Sequence, residues 1–340
     1  QPISDIGTLI CAIPIQLKVF KEMENLEKIN TTASLDSIIK EAKVIQSMCR
    51  DYKVTANNIH MDNDLKLKFD DYELPLSSFA TGELCGKLSV PSRYFNRLIE
   101  SGNNRLAAEN INNWLDGDKR TFLLREYCGN IRGVLSGNYS IYDAPEILET
   151  VSEVFDSSKF KIKGSFINEE RLHLRLVENQ MLDIDGEDLF AGVTIDSSDV
   201  GRSGLSVKFF IYKQVCTNGL VIARSAAKLF RQKHIGITHD DFTKGLKEGL
   251  ETFYTLKDKV IESIKETDKI PVSQDIEDLI EKIKDQTNLS TQAAEKVIEL
   301  MNVKYAPTKW GLINGITEVA QDFTLETRLQ LEEIAGNMLV

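Results

Sequence analysis

The spacing of hydrophobic positions changes along the chain. Leu35, Ile38, Ile39, Val44, Ile45 and Met48 recur at helical intervals and predict an N-terminal helix, followed by a short strand pair around residues 65–74. Beyond residue 120 the period falls to two. Residues 122–127 and 131–136 flank Cys128-Gly129-Asn130, a turn-forming tripeptide, and predict a hairpin. Asp143-Ala144-Pro145 opens a helix to about Phe155, with proline early in the helix, where its missing N–H costs little. Strands are expected at 159–167, 171–177, 189–195 and 205–215. From Asp240 the pattern is helical to the C-terminus, punctuated by Pro271, by Ser290 as an N-cap and by Pro307. The expected fold class is α+β: a central antiparallel sheet with helices on one face, a helical N-terminal region and a helical C-terminal domain. The boundaries fall at 1–118, 119–239 and 240–340.

Alternation along these strands separates two unlike faces. Leu172, Leu174 and Leu176 share one side; Arg171, His173 and Arg175 share the other, because successive side chains point oppositely. Phe160 and Ile162 oppose Lys159, Lys161 and Lys163 in the same way. Leu205, Val207, Phe209 and Ile211 form the buried set of the next strand, leaving Lys208, Phe210 and Tyr212 outward. Thr217-Asn218-Gly219 reads as a turn, and a helix from about Ala223 would align Arg224, Lys228 and Arg231 on one stripe. A sheet face carrying cations and rings suits a single strand of nucleic acid, whose phosphates are neutralised and whose bases stack. The plainer alternative is a solvated polar face with Phe210 and Tyr212 packed under a helix.

Charge sharpens this picture. The 340-residue chain has net charge -11, yet from Gly201 to His239 it holds seven Lys/Arg and no Asp or Glu. The three regions carry -4, +1 and -8, so the acidic C-terminal third is placed to shield or compete for the basic surface. With 42% hydrophobic and 27% charged residues, the composition is that of a globular protein of about two domains. Five scattered cysteines without a CxxC pair imply neither a disulfide framework nor a zinc knuckle and fit a reducing cytoplasm. The apolar stretch 9–17 is broken by Pro14 and is too short to span a membrane.

Catalytic motifs are weak. Cys216 near the expected helix start, with His173 or His234 as base, lacks fixed geometry. Asp183, Asp185, Glu187 and Asp188 lack calcium-loop spacing and read as a solvated loop. No phosphate-binding or dinucleotide fingerprint occurs. Residues 78–99 have the outline of a helix-turn-helix, with Arg93 and Arg97 on its second helix. No enzyme activity, cofactor or metal is expected.

Five stretches carry a family resemblance: residues 132–139 (RGVLSGNY), 198–201 (SDVG), 215–220 (VCTNGL), His234 with Ile235-Gly236, and Trp310 with Asn314 and Thr317. Together they resemble the phage/plasmid-like protein family over roughly residues 75–317. The resemblance implies a mobile-element origin and a cytoplasmic setting, and brings no catalytic residues. The order hairpin, helix, antiparallel strands also resembles the core of Rad52-type single-strand annealing proteins, which implies a basic groove for single-stranded DNA in rings or filaments. The acidic C-terminal third departs from that pattern. The expected function is therefore binding of nucleic acid, single-stranded DNA above all, in recombination or replication. Lys161, Lys163, Arg171, His173, Arg175, Arg202, Lys208, Arg224, Lys228, Arg231 and Lys233 would face phosphates, with Phe210 and Tyr212 stacking on bases. Expected partners are a second copy of the chain and a host protein on the acidic helices, with no membrane. The alternative is a protein-interaction or counter-defence module that binds no nucleic acid.

Overall fold

Ser34 caps the first helix, α1 (Leu35–Ser47), by accepting the Ser37 backbone N–H, and the helix buries Ile38 and Ala42. The computed structural model describes residues 33–182, 184, 188–213, 218–222, 228–272 and 275–339. After α1 comes a strand that the hydrophobic pattern does not announce, β1 (Cys49–Thr55), with one fully buried residue. It pairs along its whole length with β5 (Thr121–Tyr127), which forms the expected hairpin with β6 (Asn130–Ser136). Cys128 and Gly129 take φ of 48° and 82° in the hairpin turn, a backbone that glycine adopts without strain.

A small meander, β2 (His60–Met61), β3 (Lys66–Phe69) and β4 (Tyr72–Pro75), and three helices, α2 (Ser78–Lys87), α3 (Ser92–Glu100) and α4 (Asn104–Leu115), pack around the β1-β5-β6 sheet. Leu67, Phe69, Leu84, Phe95, Ile111, Leu124 and Val134 form their common core. The helix-turn-helix outline is present as α2 and α3.

The larger unit is a six-stranded antiparallel sheet. Asp143 precedes α5 (Ala144–Val154), whose chain continues into β7 (Phe160–Ile167), β8 (Arg171–Met181), β9 (Leu189–Ser198) and β10 (Leu205–Lys213), paired in that order. Two short strands share the outer edge of β10: β11 (Asn218–Ile222) lies against Phe209–Lys213 and β12 (Lys228–Gln232) against Leu205–Lys208. These two strands correct the expected turn and helix. Val221, Ile222, Leu229 and Phe230 are residue types that favour strands, and the edge backbone groups of β10 offer partners that outweigh the helical spacing of the charges. Lys228 and Arg231 therefore stand on a strand, and no cationic helical stripe forms among the described residues. Arg224 and Cys216 lie outside them, as do Asp183, Asp185 and Glu187.

A capping box of Thr238 and Asp241 starts the long helix α6 (His239–Thr267). Gly245 faces Phe230 so closely that a Cβ there would sit 2.1 Å from the ring. Then follow α7 (Ile276–Thr287), α8 (Thr291–Lys304) with Ser290 as its cap, α9 (Lys309–Val319) and α10 (Leu325–Leu339). Leu172, Leu174, Leu176, Val207 and Phe209 meet Leu148 and Val151 of α5 and Phe242, Leu246 and Phe253 of α6 in the main core, which extends to α1 and to the C-terminal helices. The fold is α+β, with helices at both ends of the chain. Among the described residues no helix is long and apolar enough to cross a membrane.

The opposite face of this sheet, expected to remain open, is covered by α10, which packs on β11 and against α9. The helix sends Leu331, Ala335 and Leu339 into the apolar core and presents Glu332 and Glu333 to the sheet. That sequence arrangement lets one helix satisfy an apolar and a charged neighbour at once.

Candidate functional site

The register of β8, β9, β10 and β12 lines up polar residues in rows across the sheet. His173 stands opposite Asp196, Asp196 opposite Ser206, and Ser206 opposite Arg231. In the next row Arg175 stands opposite Thr194, Thr194 opposite Lys208, and Lys208 opposite Lys228. Arg171, His173, Arg175 and Lys208 thus share one side of the sheet, as alternation predicted, and Arg231, expected on a helix, reaches the same side from β12.

Their exposure differs from the prediction. His173, Arg175, Phe210 and Tyr212 are buried, at 3%, 2%, 0% and 6% exposure. A chain of contacts accounts for His173 and Arg175. His173 Nδ1–H donates to Asp196 Oδ1 at 2.7 Å, a tautomer fixed by Arg175 Nε–H donating to His173 Nε2 at 3.0 Å. Arg175 also donates to Glu332, which accepts from Arg328 Nε as well, and its guanidinium lies 4.8 Å above the Phe210 ring centre. Lys208 Nζ reaches Glu333 at 2.7 Å. A guanidinium leaves water only with such partners, and α10 supplies them. Burial pushes the His173 pKa down and keeps its imidazole neutral.

Beside the covered centre a cleft of about 290 Å³ remains between α10 and the sheet. Arg171, Lys208 and Arg231 line it together with Ser203, Gly204 and Ser206, while Glu326, Gln330 and Glu333 of α10 form the other wall. Neither Arg171 nor Arg231 forms a salt bridge among the described residues, although the Asp196 carboxylate lines the same wall and acts electrostatically on Arg171 and Lys208; the buried Thr194 hydroxyl, which also lines the cleft, has no hydrogen-bond partner among them. Chemically the sheet wall suits an oxyanion such as phosphate, approached by two forked guanidinium groups and an ammonium.

A second patch lies toward β7. Lys161 sits 5.2 Å over the Phe190 ring and Lys163 5.3 Å over the Tyr212 ring, above an apolar cluster that also includes Phe210 and Val177. Burial and the neighbouring Lys161 hold the Lys163 ammonium below the ordinary lysine pKa. The remaining expected residues scatter. Arg202 pairs with Glu170 at 2.6 Å and stacks on Phe79 of α2, away from the cleft wall. Lys233 is exposed just past β12. Lys228 is placed by its backbone in β12, opposite Lys208.

One polar constellation escaped the reading of the sequence. Where the small sheet meets the large one, Arg125 is 1% exposed and fully engaged: it grips Asp51 and Asp143 with paired hydrogen bonds and donates to the Asp199 carbonyl. Arg132, on the neighbouring strand, is 3% exposed, and its Nε, Nη1 and Nη2 all lack a hydrogen-bond partner among the described residues. Its closest carboxylate, Asp199, stands 3.9 Å away. Tyr139 donates to the Ser198 carbonyl and stacks on His234 at 5.1 Å, and His234 shares a hydrogen bond with Ser197. Residues 132–139, 198–201 and 234–236, three of the stretches that carry the family resemblance, therefore meet here. The available signal was an arginine inside each of two apolar strands, 121–127 and 130–136.

No curated protein and no solved structure matches the chain. One family model does, over residues 132–333, a span that begins at Arg132, takes in the large sheet and the cleft, and ends at Glu333 on α10. By that match the chain belongs to the DUF932 family, a domain of unknown function.

Proposed function

We propose that the protein binds single-stranded nucleic acid, DNA above all, as a non-enzymatic cytoplasmic factor in recombination or replication on phage or plasmid DNA. The observation that carries this reading is the cleft. Arg171, Lys208 and Arg231 come to it from three different strands, and neither arginine forms a salt bridge among the described residues. Phosphates that displace condensed counterions from such cations gain affinity without base specificity. The order β5–β6 hairpin, α5, then β7 to β9 supports single strands as the ligand, since it is the order that resembles Rad52-type annealing proteins.

The stacking component narrows. Phe210 is covered by Arg175, so base contact falls to Phe190 and Tyr212, once Lys161 and Lys163 swing from the rings to the phosphates.

The test is a salt titration of binding to a single-stranded oligonucleotide. The Arg171→Ala/Arg231→Ala variant should bind more weakly, with a log–log salt slope shallower by about 1.4, or 0.7 for each lost phosphate contact. Unchanged affinity and slope reject the cleft. Purification with a stoichiometric host protein, and no nucleic acid, supports the interaction-module reading in its place.

A further inference from the structure

Two arginines sit side by side in the interior with opposite fates. Arg125 uses its fork completely on Asp51, Asp143 and a carbonyl, whereas Arg132, equally buried, has five N–H donors and no acceptor among the described residues. A guanidinium held out of water without hydrogen bonds is costly, and such a group calls for an acceptor from outside the chain. Asp199 does not complete it: the 3.9 Å separation exceeds a hydrogen bond, and Asp199 Oδ1 also lacks a partner.

We propose that Arg132 and Asp199 form a buried binding site for a phosphate group, free or terminal on an ester. The guanidinium offers one fork of two parallel N–H donors and the carboxylic acid one O–H, three donors for three oxygens of a phosphate. Burial, then the neighbouring Asp143, push the Asp199 pKa up to about 8, so its carboxyl is available as a donor at neutral pH. One turn of chain runs from the site to the cleft: Asp199 stands at its near end, while Ser203 and Gly204 at its far end line the cleft wall. Ser198, beside Asp199, is the cross-strand partner of Arg171. Two sources of this chemistry fit, inorganic phosphate and the terminal phosphate of a strand lying in the cleft. The second rests on the function proposed above; the first stands without it.

Thermal unfolding of the full chain against inorganic phosphate, at constant ionic strength with chloride as the reference, is the first test. Wild type should show a saturable rise in Tm, and Arg132→Gln none, while Arg171→Ala/Arg231→Ala keeps the rise. A wild type without a saturable rise overturns the inference, as does a rise that survives in Arg132→Gln and vanishes in the cleft variant. Should Arg132→Gln not fold, phosphorus NMR of inorganic phosphate with wild type replaces it: a distinct bound signal, absent with Arg132→Lys, is expected, and no bound signal overturns the site. Oligonucleotides with a 5′-phosphate or a 5′-hydroxyl then separate the sources. About tenfold tighter binding of the phosphorylated strand assigns the site to strand ends, and equal affinities assign it to the free ion.

Discussion

The two faces of the large sheet come from the same four strands and are covered by opposite means. Toward α5 and α6, Leu174, Val207 and Phe209 meet Val151, Leu246 and Phe253 in an apolar interface that is indifferent to pH and salt. Toward α10, Arg175 and Lys208 meet Glu332 and Glu333, an interface that holds only while each charge keeps its counterpart. The apolar cover is unconditional. The charged cover is conditional, because any anion that reached Lys208 would compete with Glu333 for it.

The contrast can be broken from either side. The largest effect should come from Phe253→Ala, which removes a fully buried ring stacked 5.2 Å from Phe209; chemical denaturation should register a loss of about 3–5 kcal/mol. Next is Glu332→Ala, expected to cost about 3 kcal/mol because Arg175 is left buried without its carboxylate. Arg175→Met combined with Glu332→Leu should return to within about 1 kcal/mol of wild type, since apolar replacements of a buried ion pair are often neutral. A small cost for Glu332→Ala alone would mean that the charged cover contributes nothing.

The pH response should sharpen the difference. His173 has a pKa lowered by burial, between Arg175 on one nitrogen and Asp196 on the other. Below pH 6.5 the unfolded chain takes up a proton that folded His173 resists, so stability should fall as the solution is acidified through that value. The buried His234, also lowered by desolvation, acts in the same direction. His173→Gln should flatten the slope of unfolding midpoint against pH between 7.5 and 5.5 without abolishing it, whereas Phe253→Ala should leave the slope unchanged. The smallest effect belongs to Lys208→Ala. Its ion pair with Glu333 is partly solvated, and the variant should lose at most about 1 kcal/mol.

Much of the fold was legible because alternation and capping are local. The hairpin at 128–130, Pro145 in the first turn of α5 and the Ser290 cap all appear where their residues put them. What failed was decided by partners far away. β1 carries one buried residue and becomes a strand because β5 lies beside it. Residues 228–232 carry charges at helical spacing, yet pair with the edge of β10. The cationic face was legible down to individual side chains; its roof was not, since Glu332 lies 157 residues from Arg175. Only the excess of acid in the C-terminal third hinted at a cover. The Arg132 junction was hidden more thoroughly, because nothing in a strand's sequence tells whether its arginine will find an acceptor.

The edges of the large sheet carry one more consequence. On one side β10 ends against two five-residue strands, too short to template a long addition. On the other, β7 places Lys161 and Lys163 around an irregularity between Ile162 and Gly164. Short rims, positive charge and a bulge are the devices by which natural sheets resist joining edge to edge. The chain can therefore keep strongly strand-forming segments such as Phe209-Phe210-Ile211-Tyr212 in its centre while its margins discourage aggregation into fibrils.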